Sequence, residues 1–87
     1  MMIKNLMNEL VKAESAMNDL DALYEANPEN EEIEKRWDAQ YKIMWDAREA
    51  LEDEIVKITA GKITKKIAHA MVAGKRAELQ ALVARLA

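Results

Sequence analysis

Residues 2–30, MIKNLMNELVKAESAMNDLDALYEANPEN, decide the fold. The apolar side chains Ile3, Leu6, Leu10, Ala13, Met17, Leu20 and Tyr24 recur at steps of three and four, so they form one stripe along an α-helix. Met7, Val11, Ala16 and Leu23 widen that stripe, as burial against more than one neighbouring helix requires. The pattern stops at Asn27-Pro28. There Asn is a favoured N-cap and Pro is preorganised for a first helical turn. Glu29, Glu31 and Glu32 follow and bring negative charge to the positive end of a helix dipole. One helix is therefore expected over 2–26 and a second from residue 28.

Downstream of that joint, Ile33, Trp37, Tyr41, Met44, Leu51, Ile55 and Ile58 continue the three-, four- and seven-residue spacing, which carries the second helix to about residue 60. Ala60-Gly61 marks its end, because Gly readily takes the left-handed conformation that closes a helix. Thr64 is then a suitable N-cap for a third helix over 64–86. The apolar arc of this helix holds Ile67, Ala68, Met71, Val72, Leu79, Leu82, Val83 and Leu86, and Lys75 falls within it. Ala70, Gly74, Ala77, Ala81 and Ala84 form a row of small residues along one edge, which permits close helix contact.

No strand alternation occurs, and Gly and Pro total three residues. The fold class expected is all-α, a single helical domain over 1–87. It consists of a long antiparallel helical hairpin with a third helix, arranged as a three-helix bundle or as a dimeric, coiled-coil-like bundle. The apolar share is 51%, but fifteen of those residues are Ala and Phe is absent. That is a thin core for a monomer of 87 residues, so a homo-oligomer is favoured.

The net charge of −3 hides a strong segregation. Residues 1–60 carry seven basic and fifteen acidic side chains, net −8, whereas residues 61–87 carry six basic ones against Glu78 alone, net +5. Lys62, Lys65, Lys66, His69 and Arg76 fall on one face near a helix N-terminus, a candidate patch for an anion or a partner. On the second helix, Ile43 and Trp45, with Val56 further along, lie off the core stripe. They make a candidate interface, since Trp is enriched where partners bind. Ten acids between Glu29 and Glu54 raise the alternative of a nucleic-acid mimic, with Glu49, Glu52, Asp53 and Glu54 placed mostly on the solvent side.

Catalysis is not expected. With no Cys and one His there is no thiol nucleophile, no zinc set and no Glu-x-x-His pair of the di-iron kind. Val72 and Ala73 follow His69 where a phosphotransfer helix carries Lys and a small residue. Gly61-Lys62-Ile63-Thr64 lacks the upstream glycine and strand of a phosphate-binding loop. No metal, cofactor or catalytic residue is assigned. Asn5, Asn8 and Glu9 interrupt the region where a secretory signal needs apolar residues, so a cytoplasmic protein that does not enter a membrane is expected. The expected function is that of a small non-enzymatic interaction protein of phage or bacterial origin. It would be a regulator, inhibitor or assembly factor acting on an unknown protein partner through its helical surfaces. The alternative is a nucleic-acid or anionic-ligand module using the basic face of the third helix.

Overall fold

The computed structural model describes residues 2–86. It is all-helical, with four helices among the described residues: α1 (Met2–Ala26), α2 (Glu31–Ile58), α3 (Lys65–Gly74) and α4 (Arg76–Leu86). None is long and apolar enough to cross a membrane.

The α1–α2 joint lies slightly later than the sequence implies. Asn27 closes α1 instead of opening α2: its backbone N–H donates to the Leu23 and Tyr24 carbonyls and its carboxamide donates to Leu23 again. Pro28 then occupies a tight turn closed by Asn30 N–H to the Asn27 carbonyl at 3.1 Å, a setting in which Asn at the first position and Pro at the second are both favoured. Asn30 is the actual N-cap, its side-chain oxygen accepting from the backbone of Glu32 and Ile33 at 3.0 and 3.2 Å. Glu31, Glu32 and Glu34 sit in the first turn beyond it, on the favourable side of the dipole.

α1 and α2 run antiparallel, as their cross-contacts show: Asp21 meets Trp37, and Ala13 meets Gln40. At the other end Ile3 shares a core with Leu51 and Ile55. α2 ends in a Schellman closure, with Ala60 N–H to the Lys57 carbonyl and Gly61 N–H to the Val56 carbonyl. Two successive residues are left-handed there, Ala60 at φ 52° and Gly61 at φ 80°. Thr64 caps α3 as expected, accepting from Ile67 N–H.

The single helix expected over 64–86 is two helices. The chain breaks at Lys75 (φ −117°, ψ 57°), directly after Gly74, where helix propensity is weak. Lys75 is therefore not part of an apolar arc. It is the exposed corner between α3 and α4. Arg76 stabilises the break by donating to the Val72 carbonyl at 2.9 Å. α3 lies along α2, while α4 folds back so that Leu82, Arg85 and Leu86 come beside Ile58, Lys62 and Ile63. The small residues Ala70, Gly74, Ala77, Ala81 and Ala84 are all exposed.

Two buried clusters result. At the base of the hairpin all four helices contribute: Ile3, Met7 and Leu10 from α1, Leu51 and Ile55 from α2, Ala68, Met71 and Val72 from α3, and Leu79, Leu82 and Val83 from α4. Above the corner the seam is formed by α1 and α2 alone, through Ala13, Met17 and Met44 with Trp37 and Ala47 against them. The molecule is consequently elongated, 46 by 21 by 19 Å, with α3 and α4 covering only the base half of one long side.

Candidate interaction surface

The upper half of that long side carries the most unusual feature of the chain. Trp37, Tyr41 and Trp45 recur every four residues on α2, a spacing that puts them on one helical face. Trp37 and Tyr41 stack with centroids 5.1 Å apart and planes 12° apart, and Tyr41 meets Trp45 edge-on at 6.0 Å. Tyr24 of α1 extends the series at 6.3 Å from Trp37, and His69 of α3 at 6.4 Å from Trp45. Such pairs add about 0.5–1.5 kcal/mol each beyond burial, so the ladder is a rigid platform. Its faces are partly in solvent, with Tyr41 41% and Trp45 38% exposed.

Polar groups fix the platform at both ends. The Trp37 indole N–H donates to Asp21 Oδ1 at 2.5 Å, tying α2 to α1. Lower down, Arg48 lies over the Trp45 ring, 5.0 Å from its centroid, in a cation–π arrangement. Arg48 also reaches Glu14 at 3.4 Å. The same carboxylate takes a bidentate pair of bonds from Arg76, both at 2.7 Å, so Glu14 links α1, α2 and α4. Partial burial pushes its carboxyl up, but the hydrogen bonds and charges of Arg76 and Arg48 together outweigh this and hold it below the ordinary value.

Around the upper half the rim is acidic. Asp21, Glu25, Glu34 and Asp38 line a hollow with Tyr24 and Trp37, and Asn18, Met17 and Tyr41 continue it downward. Glu25, Glu34 and Asp38 are exposed and join none of the ion pairs found among the described residues.

The basic patch expected from the sequence is largely neutralised inside the molecule. Lys65 bonds to Asp53 at 2.5 Å and approaches Glu52 at 3.7 Å. The Asp53 bond raises its pKa against the opposing effect of desolvation, with the charges of Asp53, Glu52 and Glu49 adding to the rise. His69 Nδ1 lies 3.1 Å from Glu52, and Arg76 turns away from the others toward Glu14. Lys62 and Lys66 stay exposed and outside these ion pairs. Glu52 itself is 3% exposed, contrary to the solvent-facing position expected for it, because α3 closes over it and brings Lys65 and His69 within reach. No group of three or more His, Cys, Asp or Glu among the described residues is placed to hold a metal ion.

The expected interface residues also separate. Trp45 belongs to the ladder, and Val56 is half-buried on the same side. Ile43, 54% exposed, lies across the helix, since two residues turn about 200°. It lines a different hollow with Ala16, Leu20, Leu23, Arg36, Ala39 and Gln40. Trp37 and Tyr41 read from the sequence as core; Trp37 does pack against the α1–α2 seam, whereas Tyr41 is exposed, and the four-residue spacing to Trp45 is the available signal of the ladder. Glu14, one of five acids on α1 with nothing local to single it out, gave no such signal. No family model, no curated protein and no solved structure matches this chain.

Proposed function

We propose that this is a non-enzymatic, cytoplasmic interaction protein whose working surface is the open upper half of the hairpin: the Trp37–Tyr41–Trp45 ladder bordered by Asp21, Glu25, Glu34 and Asp38. One observation carries the reading. A stacked, partly exposed aromatic platform extends beyond the reach of α3, which touches only its lower end through His69 on Trp45, and rigid aromatic surface of this kind supplies large contact energy at low entropy cost when a partner lands on it. The acidic rim gives the partner a sign, so a basic, helical surface is favoured. The non-enzymatic reading rests on the residue types present, a chain with no Cys and a single His. A regulator or assembly factor works in this way, by occupying a partner's surface. The nucleic-acid alternative loses its main support once Lys65 and Arg76 are engaged by acids of the same chain.

A photo-crosslinking amino acid placed at Tyr41 tests the reading in the host cell. An adduct of defined mass is expected from position 41 and none from Lys12. Absence of any adduct at position 41, to another chain or to a second copy, overturns it.

A further inference from the structure

We infer that the occupant of the open half-groove is a second copy of this chain, docked face to face and inverted, so that the α3–α4 step of each copy fills the gap above the step of the other. This rests on the reading of the upper half as the working surface.

Shape is the first support. On one long side of the molecule the base half is raised by α3 and α4, and the upper half is left as the bare α1–α2 seam. A body with one step along half its length is complementary to an inverted copy of itself. The contact is isologous, so each copy supplies both the step and the gap. A long side of 46 by 21 Å has an outline of about 970 Å², large enough to hold the ~800 Å² per partner typical of stable interfaces. The outward surface of the step also suits close approach. Among its exposed residues are Ala70, Ala73, Ala77, Ala81 and Ala84, whose small side chains permit close approach. Ile67, half in solvent at 50%, stands beside them.

Charge is the second support, and it fixes the direction. The acids that border the hollow at the upper end, Glu25, Glu34 and Asp38, are outside the ion pairs among the described residues. Lys62, Lys66 and Arg85, exposed and equally outside the ion pairs, lie at the base end. Inversion brings each acidic end onto a basic end twice over, whereas a parallel arrangement sets acids on acids. This accounts for the −8 and +5 segregation in the sequence, only part of which is cancelled by contacts within one chain.

The full-length protein tests the inference by sedimentation equilibrium together with a charge exchange. Wild type is expected to dimerise in the micromolar range and to weaken with salt. Glu34→Lys with Asp38→Lys, and separately Lys62→Glu with Lys66→Glu and Arg85→Glu, are each expected to weaken self-association ten- to a hundredfold, with helix content by circular dichroism unchanged. An equimolar mixture of the two variants is expected to recover the dimer, because both contacts then pair opposite charges. That recovery cannot come from misfolding. Direction is read from mixed cysteine variants of this Cys-free chain: Glu25→Cys should form a disulfide with Lys66→Cys of another copy. A protein that is monomeric at 100 µM (about a hundred times the expected range), a dimer insensitive to both charge sets, or a mixture that stays monomeric overturns the inference. If the Tyr41 crosslink lands on a different protein while the chain is monomeric, the docking surface stands and the second copy is eliminated as its occupant.

Discussion

Ala60 holds a left-handed conformation, φ 52°, at the position of the Schellman closure that glycine usually fills. The glycine of this turn lies one residue later, at Gly61. A Cβ in the left-handed region costs about 1–2 kcal/mol, offset in part by the smaller entropy an alanine loses on folding. Ala60→Gly is therefore expected to stabilise the protein by about 0.5–1 kcal/mol in urea unfolding, and a destabilised variant would show that the strain is absent. Glu14 is the residue with the largest reach, joining Arg48 and Arg76 across three helices. Its replacement by Gln leaves a half-buried pair of guanidinium groups without their anion, with an expected loss of about 1–3 kcal/mol. Because the folded carboxyl titrates below its ordinary value of 4.5, its contribution is present above that value and is lost as pH falls through the lower, folded-state value. Wild type should thus lose stability on acidification, and Glu14→Gln should lose less over the same interval. Parallel acid-unfolding curves for the two proteins would contradict this.

Among the elements, the division of the last third of the chain into α3 and α4 matters most. A straight helix over 64–86 would extend roughly 33 Å and would leave the base core open on one side. The corner at Lys75 lets Leu79, which is fully buried, complete that core from α4 together with Leu82 and Val83. Leu79→Ala is expected to cost about 2–5 kcal/mol by cavity formation, measured as a shift of the denaturant midpoint. Gly74, in contrast, has no heavy atom within 4 Å of an added Cβ. Gly74→Ala should therefore be neutral or stabilising by up to about 1 kcal/mol. If that substitution instead straightens the helix and exposes Leu79, the break depends on Gly74 and not on the Arg76–Glu14 contact. The helix ends were legible in unequal degree. Thr64 announced its cap correctly, but both Asn27 and Asn30 have the chemistry of an N-cap. Which one serves is settled by the turn that Pro28 makes between them.

At the scale of the whole molecule, four helices share the core at the base and two share the seam above it. Local opening should follow that division. Backbone amides of Leu20–Ala26 and Ile33–Tyr41 are expected to exchange with solvent faster than those of Ile3–Leu10 and Leu51–Ile55 by hydrogen-exchange mass spectrometry, since fewer apolar contacts hold them. If the upper halves pair with a second copy, this difference shrinks as protein concentration rises and thermal stability rises with it. Equal protection in the two halves at low concentration would argue against a partner-dependent upper half.

The sequence by itself determined the helices, the joints near residues 27–30 and 60–64, the heptad stripe of α1 and the division of charge, because spacing, caps and charge are properties of neighbours along the chain. Tertiary structure alone decided that Glu52 is buried, that Arg76 serves Glu14 and that the third helix breaks. It also decided that Tyr41, placed on the core stripe by its spacing, is exposed, while Trp37 is half-buried against the α1–α2 seam. The physical reason is common to all four. Burial depends on how far a second element reaches, and α3 and α4 are long enough to cover only half of the hairpin. The same spacing along α2 is thus fully buried in the four-helix core at Leu51 and Ile55, and above the corner at Lys75 it is split between the α1–α2 seam at Met44 and the half-open ladder.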